Sequence, residues 1–249
     1  MNDRPAIVFV HGLLGFSCLR LASRPIICCF RGVSERLEKT GLRALFPAVP
    51  RRGSVEERAE ALARYVSGID CDTVHIVAHS MGGLDARFLI HRLDPNRRVR
   101  SLITVGTPHH GSPLAEWVLE ERTVLARLLR RLTLPGVRDL TPEACARFNE
   151  TTPDRPDVRY RSFAGSRSAG EMPPWFRPWT RMLEARAGPN DSQVPVASAR
   201  WGEFRGIIRA DHLELVGWSL GPADARTARP FDHLGLYSAI AASLAPPGD

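Results

Sequence analysis

The chain has 249 residues, enough for one large α/β domain with a substantial core. Its 43% hydrophobic and 24% charged residues are ordinary for a globular protein. The net charge of +7 comes from arginine, because Lys39 is the only lysine among 34 basic residues. These arginines are scattered without a dense basic run, so we interpret them as a solvated surface and expect no nucleic-acid partner.

Three features of the sequence bear on its cellular setting. No run of about 18 apolar residues exists, so no membrane-spanning segment is predicted. The first strand-like run, Ala6–Val10, begins too early to leave room for a signal peptide. The five cysteines lack the spacing of a disulfide framework or a zinc site, which favours a reducing compartment. These features predict a cytoplasmic protein.

Apolar runs and helical patterns alternate along the whole chain. The predicted strands cover residues 6–10, 42–49, 74–78, 99–105, 158–164 and 206–209. Between and after them, helical patterns cover residues 34–39, 54–67, 82–93, 113–132, 142–149 and 232–244. Residues 18–30 are predicted as an irregular loop, and residues 171–179 as too proline-rich for regular structure. The alternation predicts one α/β domain, residues 1–249, with a mainly parallel, doubly wound sheet of about six strands.

One segment changes from strand to helix at a serine. Val74–Ala78 has the pattern of a buried strand, and the residues from Gly82 onward have the pattern of an amphipathic helix. A serine at such a sharp junction is the nucleophile elbow of an α/β-hydrolase, where small neighbours let the two backbones approach. The box here has Ala78 where the usual pattern has glycine. We predict Ser80 as the nucleophile and an α/β-hydrolase fold.

A serine nucleophile needs a general base and a carboxylate that orients this base. In α/β-hydrolases the chain order is serine, acid, histidine, and the best acid after Ser80 is Asp191, in a turn. His212 lies 21 residues after Asp191, directly behind the last predicted strand, and is preferred as the base. His233 is the alternative, although its place at a predicted helix N-terminus suits a surface residue. His79 is disfavoured because the elbow points it away from the attack geometry.

The oxyanion that forms during acyl transfer needs backbone donors. Met81, directly after the nucleophile, supplies one amide, and the glycine-rich turn after the first strand supplies the other, which we assign to Leu13. His11 is interpreted as a brace for this turn. We also expect His11, Gly12 and Leu14 to line the substrate site.

These residues resemble the bacterial triacylglycerol lipase family of the α/β-hydrolases. The resembling segments follow the family order along nearly the whole chain: residues 11–16, 78–83, 106–112, 147–149, 190–195 and 211–216. The resemblance implies the triad Ser80, Asp191 and His212 and the oxyanion amides of Leu13 and Met81. It also implies that residues 113–140 form a helical lid or cap over an acyl site.

Metal binding is the point at which the sequence departs from the secreted members of this family, which carry export signals, a disulfide and a structural calcium. By resemblance, Glu214 could occupy one calcium-ligand position, whereas Trp218 falls where an amide ligand is expected. Trp218 cannot coordinate a hard cation. The paired His109 and His110 have no acidic or cysteine partner at ligand spacing and are interpreted as loop packing. We predict no metal, no cofactor and activity that survives chelation.

The predicted lid helix carries an apolar stripe at helical spacing, made of Leu114, Trp117, Val118, Leu125, Leu128, Leu129 and Leu132. In a lid this stripe would face the acyl chain, so Trp117, Leu125 and Leu128 are predicted to bind substrate. The alternative is an ordinary amphipathic helix packed on the core.

Together these features predict a serine carboxylic-ester hydrolase, of lipase or esterase type, that cleaves lipophilic acyl esters through an acyl-enzyme. An acyltransferase, a thioesterase or an intracellular polyester depolymerase would use the same triad. A non-catalytic module that binds a hydrophobic ligand is the alternative from another class. The expected partners are a small-molecule or lipid ester substrate and, at most transiently, a lipid interface.

Overall fold

A parallel sheet is the centre of the computed structural model, which describes residues 5–15, 19–21, 24–27, 29–38, 42–219 and 231–244. The strands are β1 Ala6–Val10, β2 Leu19–Leu21, β3 Arg24–Ile27, β4 Arg43–Leu45, β5 Val74–His79, β6 Val99–Val105, β7 Arg159–Gly165 and β8 Glu203–Ile208. Six of them form one all-parallel sheet in the order β4-β1-β5-β6-β7-β8. This sheet confirms the predicted fold class.

Helices cover both faces of the sheet, as a parallel sheet requires. They are α1 Val33–Glu38, α2 Val55–Ser67, α3 Gly82–Phe88, α4 Pro113–Glu120, α5 Val124–Thr133, α6 Pro142–Thr151, α7 Arg177–Ala187, α8 Val196–Ala199 and α9 His233–Ala242. The predicted capping box opens α2: the Ser54 hydroxyl accepts from the Glu57 amide, and the Glu57 carboxylate accepts from the Ser54 amide. Within the described ranges, no helix is both long and apolar enough to cross a membrane.

The core has two layers because successive residues of a strand point to opposite faces of the sheet. On one face, Ile76 of β5 packs with Leu62 of α2 and with Ile90, just beyond α3. On the other face, Phe9 of β1 packs with α1 and α9, and its ring lies 5.9 Å from that of Tyr237. The sheet is thus doubly wound, and the loops that follow its strands meet at one edge.

Three predicted segments differ from the structure. Residues 171–179, predicted as too proline-rich for regular structure, include the start of α7. Residues 18–30, predicted as an irregular loop, contain the antiparallel pair β2 and β3, whose three and four residues are too few to show a strand pattern. The predicted single helix over residues 113–132 is two helices, α4 and α5. The Thr123 side chain caps the second helix by accepting from the Ala126 amide at 3.2 Å. The apolar stripe continues through the break, so hydrophobic spacing could not locate it.

Candidate active site

Ser80 occupies the turn between β5 and α3 with a backbone φ of 55°. The turn is tight: a Cβ atom on Gly12 would lie 2.5 Å from the Ser80 Cβ, and one on Gly82 would lie 2.7 Å from the Val10 carbonyl oxygen. The Thr107 hydroxyl donates to the Ser80 carbonyl at 2.7 Å, which helps to hold the left-handed conformation. The strained turn therefore has the geometry expected of a nucleophile elbow.

The structure brings Asp191 and His212 together at the same edge of the sheet. The His212 Nδ1–H donates to the Asp191 Oδ2 at 2.7 Å, which assigns the ring proton to Nδ1 and leaves Nε2 as the basic nitrogen. The other oxygen of Asp191 accepts from the Gln193 amide at 3.0 Å and the Val194 amide at 2.7 Å. The His212 amide also donates to the Asp191 carbonyl at 2.9 Å. Both residues are buried, so their relative orientation is fixed from several sides.

Ser80 and His212 line one cavity of about 480 Å³. Within the described part of the chain, no hydrogen bond joins their side chains. Catalytic hydrogen bonds are often long in a free enzyme and tighten only when substrate binds, so this geometry remains compatible with nucleophile and base.

Two backbone amides near Ser80 are available to bind an oxyanion. In the turn after β1, the Leu14 amide donates to the Arg51 carbonyl at 2.7 Å and the Gly15 amide to the Gly12 carbonyl at 3.1 Å. Among the described residues, the amides of Leu13 and Met81 have no such acceptor. These are the two amides that the sequence predicted for this role.

The other nearby histidines are occupied by structural contacts. The His79 ring donates to the His212 carbonyl at 3.0 Å, and burial holds its pKa well below the usual value. The His11 Nδ1–H donates to the Gly12 carbonyl at 2.9 Å, and burial, assisted by Arg58, lowers its pKa to about 4. His233 instead bonds the carbonyl of Arg31 and lines a cavity that does not include Ser80. The arrangement therefore favours His212 as the base.

A buried ion pair supports the turn after β1. The Arg58 Nη2 lies 2.7 Å from the Asp85 Oδ2, with both side chains fully buried. The same nitrogen donates to the His11 carbonyl at 2.6 Å, and Nη1 donates to the Pro50 carbonyl at 2.7 Å. Burial raises the pKa of Asp85 to about 6, against the opposing effect of Arg58. Nothing local in the sequence marks this pair, because its members lie on different helices.

Comparison with known proteins supports the same family assignment. Residues 49–131, which include Ser80, match the family model for palmitoyl protein thioesterase. Triacylglycerol lipase 2 of Saccharomyces cerevisiae is 35% identical over 204 residues, 75% of this chain and 61% of that protein. A triacylglycerol lipase of Pseudarthrobacter phenanthrenivorans is 30% identical over 122 residues, 46% of this chain and 36% of its own length. The chain belongs to the lipase and esterase family of the α/β-hydrolases. The matched part of the chain spans about three fifths of the length of the yeast protein and about one third of the length of the bacterial one.

Solved lipase and esterase structures share the fold. A metagenomic carboxyl esterase has a TM-score of 0.74 at 22% identity, with 98% of this chain and 76% of that chain covered. The mature lipase of Bacillus licheniformis has a TM-score of 0.67 at 24% identity, with 86% of each chain covered. At these identities the similarity concerns the fold alone.

A second cavity beside Ser80 has a volume of about 340 Å³ and mainly apolar walls. The walls contributed by α4, α5, the start of α7 and the segment between α5 and α6 are Leu114, Ala115, Val118, Leu129, Thr133, Val137, Leu140, Phe176 and Trp179. Leu13, Leu14, Ser80, Thr133, Leu140 and Gln193 line both cavities. The serine therefore lies where the two cavities adjoin.

The predicted substrate-binding residues lie at different places relative to the two cavities. Leu125 and Leu128 lie on the outer face of α5, 44% and 52% exposed, and line neither cavity. The Trp117 ring lies 6.2 Å from the ring of Trp179, and Trp117 lines neither cavity. His11 is buried under its turn and also lines neither cavity. Gly12 and Leu14 do line the cavity that contains His212. An apolar stripe cannot show which part of it turns inward.

The region that resembles a family calcium site is occupied by an ion pair. The Arg167 guanidinium donates to both oxygens of Glu214, at 3.0 and 3.1 Å. Beside it, burial raises the pKa of Asp211 to about 6. His109 bonds the Thr104 hydroxyl at 3.0 Å and stacks on Trp201. Among the residues that the structure describes, no three histidine, cysteine or acidic side chains form a candidate metal site.

Proposed function

We propose that this chain is a serine hydrolase that cleaves carboxylic esters of lipophilic acyl groups. The observation that carries the proposal is the buried Asp191–His212 pair, whose histidine lines the cavity that also contains Ser80 on its strained turn. A carboxylate, an oriented imidazole and a serine at a strand end form the arrangement used for acyl transfer. The family assignment supports the same chemistry.

In the proposed mechanism, the Ser80 hydroxyl attacks the ester carbonyl while the Nε2 of His212 takes its proton. The amides of Leu13 and Met81 stabilise the oxyanion, and Asp191 stabilises the imidazolium and keeps the ring oriented. His212 then gives this proton to the departing alkoxide, which leaves as the alcohol. The acyl group stays bound to the Ser80 oxygen as an ester. Water then attacks the carbonyl of this acyl-enzyme while His212 takes its proton, and His212 passes the proton to the Ser80 oxygen as the acid leaves.

The apolar cavity under α4, α5 and α7 is the proposed acyl site. Each methylene transferred from water to such walls contributes about 0.8 kcal/mol, so medium-chain esters should react more efficiently than acetyl esters. On this basis we propose that residues 113–140 act as a cap within a single domain of residues 1–249. The walls supplied by Leu114, Val118 and Leu129 support this role.

The outer face of α5 suits a transient contact with a lipid surface. Its apolar side chains Val124, Leu125, Leu128 and Leu132 are exposed, beside the exposed Arg127 and Arg131, and α5 contains no acidic residue. A helix with an apolar face and arginines at its border can lie in a membrane interface. We therefore include a lipid interface as a proposed partner, together with the ester substrate.

A thioester is the second candidate substrate, because the palmitoyl protein thioesterase model matches the segment that contains Ser80. The same triad would attack a thioester carbonyl. Comparison of one acyl group presented as an oxygen ester and as a thioester distinguishes the two, through the ratio of kcat/KM values.

We also propose a cytoplasmic location, because the buried free thiols of Cys71 and Cys145 suit a reducing compartment. Cell fractionation would test it.

The deciding experiment is the hydrolysis of p-nitrophenyl esters from acetyl to dodecanoyl, with Ser80→Ala as the control. We expect kcat/KM to rise toward medium chains, no turnover by the variant, and undiminished activity in EDTA. A fluorophosphonate probe should label the native protein and leave Ser80→Ala unlabelled. Absence of labelling and turnover in a folded native protein would contradict the proposal and favour a non-catalytic ligand-binding module.

A further inference from the structure

Gln193 connects the catalytic acid to both cavities. Its amide donates to the Asp191 Oδ1 at 3.0 Å, and its carbonyl accepts from the Ser112 hydroxyl, so its main chain is held at both ends. Gln193 lines the cavity that contains His212 and also the apolar cavity. A side chain on such a fixed backbone is well placed to select among substrates.

The Gln193 carboxamide has unused hydrogen-bonding capacity. Among the described residues, three polar ones line both cavities: Ser80, Thr133 and Gln193. Ser80 is the proposed nucleophile, and the Thr133 hydroxyl already donates to the Leu129 carbonyl at 2.7 Å. Among the described residues, the Gln193 carboxamide has no hydrogen-bond partner, which leaves one acceptor oxygen and two N–H donors for a ligand.

The proposed mechanism determines which half of an ester lies in each cavity. His212 must give its proton to the departing alkoxide, and His212 lines the larger cavity and not the apolar one. The alcohol half therefore lies in the larger cavity, and the acyl chain lies between the apolar walls. The wall shared by the two cavities is then closest to the ester itself and to the first carbons of the alcohol.

We propose that Gln193 is a specificity-determining residue that binds a hydroxyl or ester oxygen close to the scissile bond on the alcohol side. The inference rests on the proposed ester hydrolase function. Its consequence is a preference for esters of polyols over esters of plain alkyl alcohols with the same acyl group. Because a carboxamide both accepts and donates, it can bind a free hydroxyl or a neighbouring acylated oxygen.

The test compares the glyceryl monoester and the propyl ester of one medium-chain acid, both below their critical micelle concentrations. The measured quantity is the ratio of their kcat/KM values. Loss of one neutral hydrogen bond corresponds to roughly a threefold to tenfold change. We expect Gln193→Met, which keeps the length of the side chain, to lower this ratio by that factor through a higher KM for the glyceryl ester.

Leu129→Ala is the matched control, because it alters the wall around the acyl chain that both esters share. It should lower both kcat/KM values and preserve their ratio. An unchanged ratio in Gln193→Met would overturn the Gln193 assignment, as would an effect confined to esters with a hydroxylated acyl chain. If the native protein hydrolyses neither ester, the proposed function itself fails, and the assignment fails with it.

Discussion

The two sides of the active-site cavities differ in how firmly they are held. On the sheet side, Ser80, Asp191 and His212 are buried, and backbone hydrogen bonds hold the turn or loop of each residue. On the cap side, α5 leaves Val124 74% and Leu128 52% exposed. Preorganised groups suit the chemical step, which is common to all esters. An exposed apolar helix suits contacts that vary with substrate and surface. In the proposed function, the sheet side sets the rate of the chemical step and the cap side sets the preference among substrates.

The largest expected effect lies on the sheet side. Ser80→Ala, Asp191→Asn and His212→Ala should each lower kcat by about ten-thousandfold or more, because the members of a triad act as one unit. His233→Ala should retain activity, since its ring bonds the Arg31 carbonyl away from the serine. Steady-state kinetics on a p-nitrophenyl ester measure this. An active His212→Ala with an inactive His233→Ala would reverse the choice of base.

The next largest effect concerns the ion pair beneath the oxyanion turn. Arg58→Met leaves Asp85 buried without a partner and should lower the free energy of unfolding by about 3–5 kcal/mol. The double variant Arg58→Met, Asp85→Leu should recover much of this loss, because no uncompensated charge remains. Urea denaturation measures both variants. A single variant as stable as the native protein would show that the pair does not support the turn energetically.

Acid should lower the free energy of unfolding through His11, which is buried on the sheet side. The pKa of His11 is about 4 in the folded protein against an ordinary value of 6.5. Below pH 6.5 the unfolded chain binds a proton that the folded protein does not, so the contribution of neutral His11 to the free energy of unfolding is complete above pH 6.5 and is lost as pH falls toward 4. The loss should be about 3 kcal/mol. His79 and His109 act in the same direction, whereas Asp85 and Asp211, with raised pKa values, act in the opposite one.

The His11 contribution is isolated by His11→Asn, whose amide nitrogen can replace the Nδ1 donor. The difference in unfolding free energy between pH 7 and pH 4 should be smaller in this variant by about 3 kcal/mol. Urea denaturation at several pH values measures it. Parallel pH profiles for the two proteins would contradict the assignment of a neutral, buried His11.

On the cap side, a change in the cavity wall should alter preference more than rate. Leu129→Ala removes an apolar wall, so the advantage of octanoyl over acetyl p-nitrophenyl esters should fall by about threefold to tenfold. Leu125→Ser is the matched control on the outer face of the same helix and should keep the chain-length profile. A reduced preference in Leu125→Ser alone would mean that the outer face meets the acyl chain.

The smallest expected effect on stability lies on that outer face. The double variant Leu125→Ser, Leu128→Ser should lower the unfolding free energy by about 1–2 kcal/mol, because about half of each side chain is already exposed. It should nevertheless bind less to anionic lipid vesicles in a sedimentation assay. Equal vesicle binding by variant and native protein would remove the lipid interface from the proposed partners. A large loss of stability would place these side chains in the core.

Local patterns predicted the sheet and the candidate site residues. The strand–turn–helix junction at Ser80 is visible because it depends on neighbouring residues. Asp191 and His212 were selected by the serine, acid, histidine order of α/β-hydrolases and by the position of His212 behind the last predicted strand. Their roles stay predictions until the variants are measured. The ion pair of Arg58 and Asp85 could not be predicted, because contacts between distant segments leave no local pattern.

The cap was the least predictable region. The break between α4 and α5 contains neither glycine nor proline, so nothing interrupts the helical pattern there. Leu129 turns inward while Leu125 and Leu128 turn outward, a choice made by the neighbours of α5 rather than by its own spacing. The helix α7 was missed because its opening is proline-rich, although proline is well tolerated in the first turn of a helix.

The Ser112 hydroxyl has a mechanical consequence for the cap. It accepts from the Leu114 amide at the start of α4 and donates to the Gln193 carbonyl, next to the catalytic acid. These two hydrogen bonds connect the first turn of α4 to the loop that contains Asp191. A displacement of that turn would therefore also displace Asp191. A movement of the proposed cap that leaves Asp191 in place must therefore begin farther along the chain than the first turn of α4. The first non-helical stretch beyond that turn is residues 121–123, between α4 and α5, so α5 is the part of the proposed cap that such a movement would displace.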